Sequence, residues 1–423
     1  MKKFLGVAQP FGFGGITELL ALEGALHMES KGTLSMECQD HPQFRAVTEG
    51  MRRKLSLRDE SDSVGMQQYD GIISSYDTAS ILNGWFEDID TFLYDGMAWF
   101  WDFDKYSDRI ESILNRLRLA KERKEKGIFN QICDDLFAED YHLTMLVAYC
   151  LADRICVRGA PQVEERLKKF PQFADKIKVV GAVIDPTLAE EDSAEEGQHI
   201  LVSLSGSLAP TLTFDQNLRF SRGALRFTEE AINGWGDKET QWIFSCHPRL
   251  FEALNEEEAF RDLPPNIQVS ASFPYQENLR MIRTAQAVFV SPGFSSVQEA
   301  ACFQTPIFFL PEQNGGQPTG FTTLKKAGYP TDHSLTVTDE IYGGELVIGE
   351  GDMDQLYEGI DRLWSDEFGP LRQQKIDEFR RVILDARSRT KLVAEQHEAV
   401  REMIGGFNGA REAIHFFLKE MES

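Results

Sequence analysis

The segment Val288–Thr319 constrains the fold of this chain more than any other, and it reads VFVSPGFSSVQEAACFQTPIFFLPEQNGGQPT. It opens within an apolar run of β type, Ala287–Val290, which ends at Pro292-Gly293. A helix-type stretch then begins near Ser295 and ends before Pro306. A strand, a glycine turn and a helix in this order are typical of a ligand site in an α/β protein.

A second apolar run, Ile307–Leu310, follows, and Pro311 turns the chain into a polar loop, Glu312–Gln317. The N-terminus of a helix offers N–H groups and the positive end of the helix dipole, which suit a phosphate. Glu299 is placed one turn inside the predicted helix, where it can accept hydrogen bonds from a ribose. The amide and carboxylate side chains of the loop are suited to sugar hydroxyls. The segment therefore predicts a site for a sugar joined to a nucleotide diphosphate.

A simpler interpretation of the same residues needs no ligand. The run Ser296–Glu299 also fits the S-x-x-E capping box of a helix N-terminus. Pro292-Gly293 taken alone is a turn. Only the ordered combination, with Pro306 and the glutamine-containing loop after it, favours a ligand site.

The segment resembles the donor-binding region of GT-B glycosyltransferases, especially inverting enzymes such as the UDP-glycosyltransferases and MurG. The residues that carry the resemblance are Gly293, Ser296, Glu299, Ala300, Pro306, Pro311 and Gln317. The likeness extends over 200–328 and is much weaker in the N-terminal half. It implies an α/β chain of GT-B type, with two Rossmann-like doubly wound domains facing a cleft and a helical C-terminal tail.

The resemblance also implies which residues of the second half bind the donor. We expect the donor-binding residues to be Ser205, Gly206, Ser207, His247, Tyr275, Gly293, Ser295, Ser296, Glu299, Glu312, Gln313 and Gln317. Small residues after a strand let backbone N–H groups approach a diphosphate closely. The alternatives are a plain turn at 205–207, a structural histidine at 247 and a core aromatic ring at 275.

Alternating strand-type and helix-type stretches predict two parallel sheets with helices on both faces. We predict an N-terminal acceptor domain over 1–184, an acidic linker over 185–198 and a donor domain over 199–423, with the terminal helix Ala410–Met421 packing back on the first domain. The strands predicted for the first domain are Lys3–Gln9, Thr33–Glu37, Gly71–Ser75, Thr91–Tyr94, Arg154–Val157 and Lys176–Ile184. Those predicted for the second are His199–Leu204, Gln241–Ser245, Ile267–Ser270, Ala287–Val290 and Ile307–Leu310.

The first domain is expected to supply the general base, which removes a proton from the acceptor hydroxyl as the sugar is attacked. In many enzymes of the family this base is a His or Asp just after the first glycine turn, but here Ile16 follows Gly12–Gly15. The candidates are therefore Asp95, Glu18 and Asp77, each of which is alternatively a helix cap or a turn carboxylate.

The acceptor is expected to meet Gly14 and Gly15 of that turn and one ring of the aromatic stretch 85–106, with Trp99 as the candidate. Rings of this kind stack on apolar sugar faces or planar molecules. Core packing explains most of the stretch, and no sequence feature identifies the acceptor beyond a small molecule or a glycan.

Composition agrees with a large enzyme of two domains. The chain has 423 residues, of which 42% are hydrophobic, and no apolar run approaches the roughly 20 residues of a membrane span. Six scattered cysteines indicate reduced thiols in the cytosol. A formal net charge of −24 disfavours nucleic acid as a partner. The cationic run 116–126 is interrupted by Glu122 and Glu125, which is typical of a solvated helix face rather than of a membrane contact.

The sequence thus predicts an inverting glycosyltransferase that moves a sugar from a UDP- or dTDP-sugar to a hydroxyl of a small molecule or glycan. No metal and no further cofactor are expected, because a helix dipole and serine hydroxyls can stabilise a departing diphosphate. Two alternatives stay open. One is a nucleotide-sugar epimerase of the same fold, and the other is a degenerate sugar-nucleotide-binding protein, which Ile16 at the usual base position motivates.

Overall fold

The computed structural model describes residues 2–9, 14–30, 33–40, 56–58, 66–161, 163–189, 197, 199–204, 208, 212–236, 239–257, 263–344, 346 and 353–419. Their contacts group into two compact units. The first unit comprises the described residues of Met1–Ala46, Arg52–Thr187 and Ile404–Ser423, and the second comprises those of Leu188–Met403. Each unit is built around its own parallel sheet.

The first unit contains a seven-stranded sheet in the order β3-β2-β1-β4-β5-β6-β7. All neighbouring strands run parallel, with Leu5 beside Ile72 in the β1–β4 pair and Leu93 beside Ile155 in the β5–β6 pair. Its strands are β1 (Lys2–Ala8), β2 (Leu34–Gln39), β3 (Ser56–Arg58), β4 (Gly71–Ser75), β5 (Asp90–Asp95), β6 (Arg154–Arg158) and β7 (Ile177–Val180). Its helices are Gly14–Glu29, Thr78–Phe86, Ser107–Glu122, Lys126–Glu139, Tyr141–Leu151, Val163–Lys168 and Gly409–Leu418.

The second unit contains a five-stranded sheet in the order β10-β9-β8-β11-β12. Its strands are β8 (His199–Ser203), β9 (Gln241–Cys246), β10 (Ile267–Ala271), β11 (Ala287–Val290) and β12 (Ile307–Phe309). Its helices are Phe214–Trp235, Pro248–Asn255, Tyr275–Thr284, Phe294–Cys302, Gly316–Lys326, Val337–Glu340, Asp354–Trp364, Gly369–Leu384 and Ala386–Ile404, with Pro186–Ala189 at the boundary between the units. In each sheet the strand that comes first in the sequence is central. The next two strands lie on one side of it and the remaining strands on the other, which is Rossmann-like topology.

Aromatic packing holds the second unit together around β11. The ring of Phe289 lies 5.2 Å from Phe308 and 5.8 Å from Trp242, measured between centroids, and 5.5 Å from Phe379 on the helix Gly369–Leu384. Strands buried on both faces read as continuous apolar runs, because helices cover both sides of a parallel sheet. This explains why most strands lie within two residues of the predicted ranges.

Three predicted segments differ from the structure. The last strand of the first domain is shorter than the predicted Lys176–Ile184, and β3 was not predicted at all because its surroundings carry no apolar run. Within the predicted linker 185–198, Pro186–Ala189 forms a short helix that follows the buried Asp185, and of the remaining residues only Gly197 is described. The cationic run is helical through Glu122, with buried residues on one face and charged residues exposed on the other.

The C-terminal helix belongs to the first unit. His415 Nε2 lies 2.7 Å from the carboxylate of Glu29, and Arg154 donates to the carbonyl of Phe416 at 3.2 Å. Gly409 approaches Gly181 so closely that a Cβ at 409 would lie 2.0 Å from the carbonyl oxygen. In the part of the chain that the structure describes, no helix is both long and apolar enough to cross a membrane.

Candidate functional site

The helix Phe294–Cys302 begins where β11 ends, at the carboxyl edge of the second sheet. Its N-cap is Gly293, in extended backbone with φ −132° and ψ 132°, and no side chain caps it. The first helical hydrogen bond runs from the N–H of Val297 to the carbonyl of Gly293 at 3.1 Å. The capping-box interpretation is therefore wrong, because Ser296 lies inside the first turn rather than at the N-cap. Ser295 and Ser296 sit in the turn whose N–H groups have no partner within the helix.

The loop after β12 lies against this helix start. The Ser291 hydroxyl, just after β11, donates to the carbonyl of Pro311 at 2.7 Å and so ties the two loops together. Within the loop, the Gln317 side-chain oxygen accepts hydrogen bonds from the backbone N–H groups of Gln313 and Asn314. Gln317 thus shapes the loop backbone.

Gln313 is the unusual residue of this loop. Its side chain is 1% exposed, yet neither its amide nitrogen nor its amide oxygen has a hydrogen-bond partner among the described residues. A buried polar group without a partner costs about 1–3 kcal/mol. Such a group calls for a partner that the described residues do not provide.

Glu312 has a different surrounding from the one we expected for a residue that reads sugar hydroxyls. Its side chain is fully buried, and its two oxygens accept hydrogen bonds from the N–H groups of Val337 at 2.7 Å and Thr338 at 3.2 Å. These are the first N–H groups of the helix Val337–Glu340. Burial raises the pKa of this carboxyl, against the hydrogen bonds that lower it. Glu312 anchors the loop, so we leave it out of the proposed donor contacts.

The remaining donor candidates line the same sheet edge. His247 is the N-cap of the helix Pro248–Asn255, and its Nδ1 accepts from the N–H of Arg249 at 3.2 Å. Burial and then the charge of Arg249 lower the pKa of His247, which favours a neutral imidazole. Tyr275 is buried in the first turn of its helix, and Glu299 is buried one turn inside the helix that starts at Gly293. The turn 205–207 lies outside the described residues.

In the first unit, the structure brings Glu18 against Arg158. Arg158 ends β6, and its Nη1 lies 2.9 Å from Glu18 Oε1. Both side chains are 5% exposed, and Arg158 also donates to the carbonyl of Gly96 at 2.8 Å. Burial raises the pKa of Glu18, whereas Arg158 and a hydrogen bond from Tyr76 lower it. Glu18 Oε2 has no partner among the described residues.

Asp95 and Asp77 are engaged in local structure. Asp95 is fully buried, and its carboxylate accepts from the N–H of Met97 at 2.7 Å, from Trp101 Nε1 at 2.6 Å and from the Tyr149 hydroxyl at 2.5 Å. Burial raises the pKa of Asp95, and these donors lower it. Asp77 is the N-cap of the helix Thr78–Phe86 and accepts from the N–H of Ser80 at 2.6 Å. The helix-cap alternative therefore describes the surroundings of Asp77.

The acceptor candidates lie at the same edge of the first sheet. Gly14 is exposed, whereas Gly15 is buried and packs so close to Tyr76 that a Cβ would lie 3.1 Å from its ring. Trp99 is half-buried beside the exposed Phe100, with 5.9 Å between ring centroids. Phe100 is the exposed ring of the aromatic stretch, Trp99 is half-buried like Trp85 and Phe86, and Trp101 belongs to the interior.

Sequence reasoning missed Arg158, Tyr76 and Gly96. The one sequence feature that could have pointed to Arg158 is its charge, which follows directly on the apolar run 155–157. Tyr76 gave none, because its left-handed backbone, with φ 60°, is visible only in the structure. For a residue other than glycine this conformation costs about 1–3 kcal/mol and is concentrated at functional sites. Among the described residues, no group of three or more His, Cys, Asp or Glu side chains is placed to hold a metal ion.

Comparison with known proteins identifies the fold. No protein-family model and no curated protein matches the chain. Among solved structures, a Listeria monocytogenes protein provisionally assigned as a UDP-N-acetylglucosamine 2-epimerase matches with a TM-score of 0.57 at 12% identity, covering 100% of this chain and 97% of the other. The S. aureus MnaA–UDP structure gives 0.54 at 11% identity, covering 100% and 98%. The spinosyn rhamnosyltransferase SpnG gives 0.52 at 13% identity, covering 99% and 100%.

The chain therefore has the GT-B fold, a two-domain α/β architecture with a helical C-terminal tail. The solved structures that match include both a rhamnosyltransferase and a protein provisionally assigned as a UDP-N-acetylglucosamine 2-epimerase. At 11–13% identity these likenesses establish the fold and leave the reaction open.

Proposed function

We propose that this protein is an inverting glycosyltransferase that uses a UDP- or dTDP-sugar. The observation that carries the proposal is the uncapped start of the helix Phe294–Cys302 beside the buried, unpartnered amide of Gln313. The helix start suits a diphosphate, since its N–H groups and dipole favour negative charge. The Gln313 amide, which can donate and accept, suits the hydroxyl groups of the sugar.

In the proposed reaction, the acceptor hydroxyl attacks the anomeric carbon from the face opposite the nucleotide. The bond from that carbon to the diphosphate oxygen breaks, and the diphosphate leaves with the bonding electron pair. Ser295, Ser296 and the helix N-terminus stabilise the departing charge. Glu299 holds the ribose, and Tyr275 and His247 contribute to the surroundings of the nucleotide. The turn 205–207 is assigned to the diphosphate as well.

We assign the general base to Glu18. The carboxylates of Asp95 and Asp77 already accept hydrogen bonds that build local structure. Glu18 keeps one oxygen without a partner among the described residues and follows the first glycine turn. Its raised pKa makes it a stronger base than an exposed glutamate. Gly14, Gly15 and Trp99 are assigned to the acceptor, a small molecule or a glycan.

A nucleotide-sugar epimerase is the second candidate, and the burial of Glu18 favours it. A glutamate residue that is 4% exposed suits a reaction confined to the nucleotide sugar itself. Product analysis separates the candidates, because transfer consumes an acceptor whereas epimerisation does not.

The first test is a thermal-shift panel with UDP, dTDP, GDP, ADP and their glucose conjugates. A ligand that binds only the folded state raises its stability by about 2.7 kcal/mol at a hundredfold excess over Kd. We expect a selective shift with UDP or dTDP compounds, followed by nucleotide release that depends on an added acceptor. Binding without turnover would indicate a degenerate sugar-nucleotide-binding protein, and no shift with any compound would refute the donor site.

A further inference from the structure

Three chain segments bring a buried polar cluster together in the first unit. Glu18 comes from the helix after β1, Tyr76 follows β4, and Arg158 ends β6. The carboxyl ends of these parallel strands meet at one edge of the sheet, where open α/β sheets bind ligands. Arg158 lies 2.9 Å from Glu18, and the Tyr76 hydroxyl hydrogen-bonds the same carboxylate.

The backbone is built to place Tyr76 in this cluster. Its left-handed conformation directs the ring over Gly15, and the Tyr141 hydroxyl donates to its carbonyl at 2.5 Å. The Tyr76 hydroxyl occupies the space beside Gly96, where a Cβ would lie 2.2 Å from that hydroxyl and 2.9 Å from Glu18 Oε1. Any side chain at position 96 would therefore push Tyr76 away from Glu18.

We propose that Arg158 and Tyr76 are positioning residues that hold Glu18 ionised, with Oε2 directed to accept a proton. This proposal rests on the proposed function only in naming the acceptor hydroxyl as the proton source. The proton passes from that hydroxyl to Glu18 Oε2 while the oxygen forms its bond to the sugar. Arg158 and Tyr76 keep their own protons, and their hydrogen bonds stay on the carboxylate.

The charges around Glu18 support this arrangement. The titratable groups that face it are Arg158 from β6, Tyr76 after β4, and Tyr94 and Asp95 from β5. Arg158 is the only cation in that set. Burial raises the pKa of Glu18, and Arg158 opposes this effect most strongly. Without Arg158, a carboxylate in these surroundings would bind a proton more tightly.

Three charged groups on the elements packed against the Glu18 helix form ion pairs with other residues. Lys3 of β1 pairs with Glu37 of β2 at 2.7 Å. Arg411 and His415 of the C-terminal helix pair with Glu29, at the far end of the Glu18 helix. The groups that shift the pKa of Glu18 are instead Arg158, Tyr76 and Asp95 of the cluster at the sheet edge.

The direct test is a pH titration of the Glu18 carboxyl by infrared difference spectroscopy on the full-length protein. The band of the protonated carboxyl is assigned by its loss in Glu18→Gln. We expect Arg158→Gln to raise the titration midpoint by about one pH unit or more, which is roughly a tenfold change in proton affinity. Arg158→Lys, which keeps the charge, should have a midpoint close to that of the wild type. Tyr76→Phe should raise the midpoint by less than Arg158→Gln does. An unchanged midpoint in Arg158→Gln would overturn the proposal, and if that variant does not fold, an unchanged midpoint in Tyr76→Phe would do so.

A glycine pair gives a matched structural control. Gly96→Ala should displace the Tyr76 hydroxyl and raise the Glu18 midpoint, as Tyr76→Phe does. Gly127→Ala adds the same methyl group where no atom lies within 4 Å, so it should leave the midpoint unchanged. Equal midpoints for the two variants would contradict the role assigned to Tyr76.

The same variants separate this proposal from the proposed function. If transfer occurs, the acidic limb of the kcat profile should move to higher pH in Arg158→Gln and recover in Arg158→Lys. If the infrared midpoint moves as expected but no donor is turned over, the positioning of Glu18 stands and the glycosyltransferase assignment fails. If transfer occurs and the midpoint does not move, the proposed function stands and the positioning roles fail.

Discussion

The Glu312 carboxylate accepts a hydrogen bond from the backbone N–H of Val337, with 2.7 Å between the oxygen and the nitrogen. This contact joins the loop after β12 to the short helix Val337–Glu340. The other oxygen of the Glu312 carboxylate accepts a hydrogen bond from the N–H of Thr338. The loop that carries Gln313 is thereby held by a buried carboxylate.

We expect Glu312→Ala to lower the free energy of unfolding by about 2–4 kcal/mol, because two buried N–H groups lose their acceptor. Urea unfolding measures the change. Glu358→Ala removes an exposed carboxylate from a helix surface and should change stability by less than about 0.5 kcal/mol. Equal effects of the two substitutions would show that the Glu312 contacts contribute little.

The stabilising effect of Glu312 should also depend on pH. Burial raises its folded-state pKa above the ordinary value of 4.5, so the folded state binds the proton more tightly than the unfolded state. The associated stability is fully present below about pH 4.5 and is lost as pH rises through the folded-state pKa. The stability difference between wild type and Glu312→Gln, from urea unfolding at several pH values, should therefore decrease as pH rises. An increase would mean that the two N–H donors outweigh burial.

Gln313→Leu should separate stability from binding. Replacing a buried amide that lacks partners by an apolar side chain of similar size should raise the ligand-free stability by about 1 kcal/mol. It should lower affinity for the nucleotide sugar by about tenfold, or 1.4 kcal/mol, and leave affinity for the nucleoside diphosphate unchanged. Calorimetry with UDP-glucose and UDP measures both. Gln373→Ala, at an exposed helix position, is the control. Equal losses for the two ligands would place Gln313 outside the sugar site.

Ser296→Asp should act in opposite directions on the protein and on its ligand. An acidic side chain in the first turn of a helix stabilises that helix by about 0.3–1 kcal/mol. The same charge should repel a diphosphate and weaken UDP binding by about tenfold or more. Ser296→Asn, which has the shape of the Asp variant without its charge, should bind UDP more tightly than Ser296→Asp does. Unchanged affinity in Ser296→Asp would indicate that no phosphate occupies this helix start.

Glu18→Gln and Asp95→Asn should separate a base from a structural carboxylate. Asp95→Asn places an amide N–H₂ against the donors of Trp101 and Tyr149, so it should cost about 2–4 kcal/mol of stability. At a temperature where the variant stays folded, its kcat should fall by only a few fold. Glu18→Gln should lower kcat by about a hundredfold or more at neutral pH. The reverse pattern would return the base to Asp95.

The pattern of residue types along short stretches of the chain determined much of the fold. The predicted strands Gly71–Ser75 and Ala287–Val290 coincide with β4 and β11, because strands buried on both faces are rich in apolar residues and contain no charged residue here. The glycine turn at Gly293 and the helix after it were readable for the same reason, since backbone shape follows from nearby residues. The sequence also identified the loop that carries Gln313.

Only the tertiary structure decided which polar side chains are engaged and which keep unpaired atoms. Glu312 and Gln313 are neighbours in the sequence. The Glu312 carboxylate accepts hydrogen bonds from N–H groups more than twenty residues away, whereas the Gln313 amide has no partner among the described residues. Likewise, Arg158 meets Glu18 across 140 positions of chain. Hydrogen bonding and desolvation depend on contacts between distant segments, and a pattern of neighbouring residues carries no record of them.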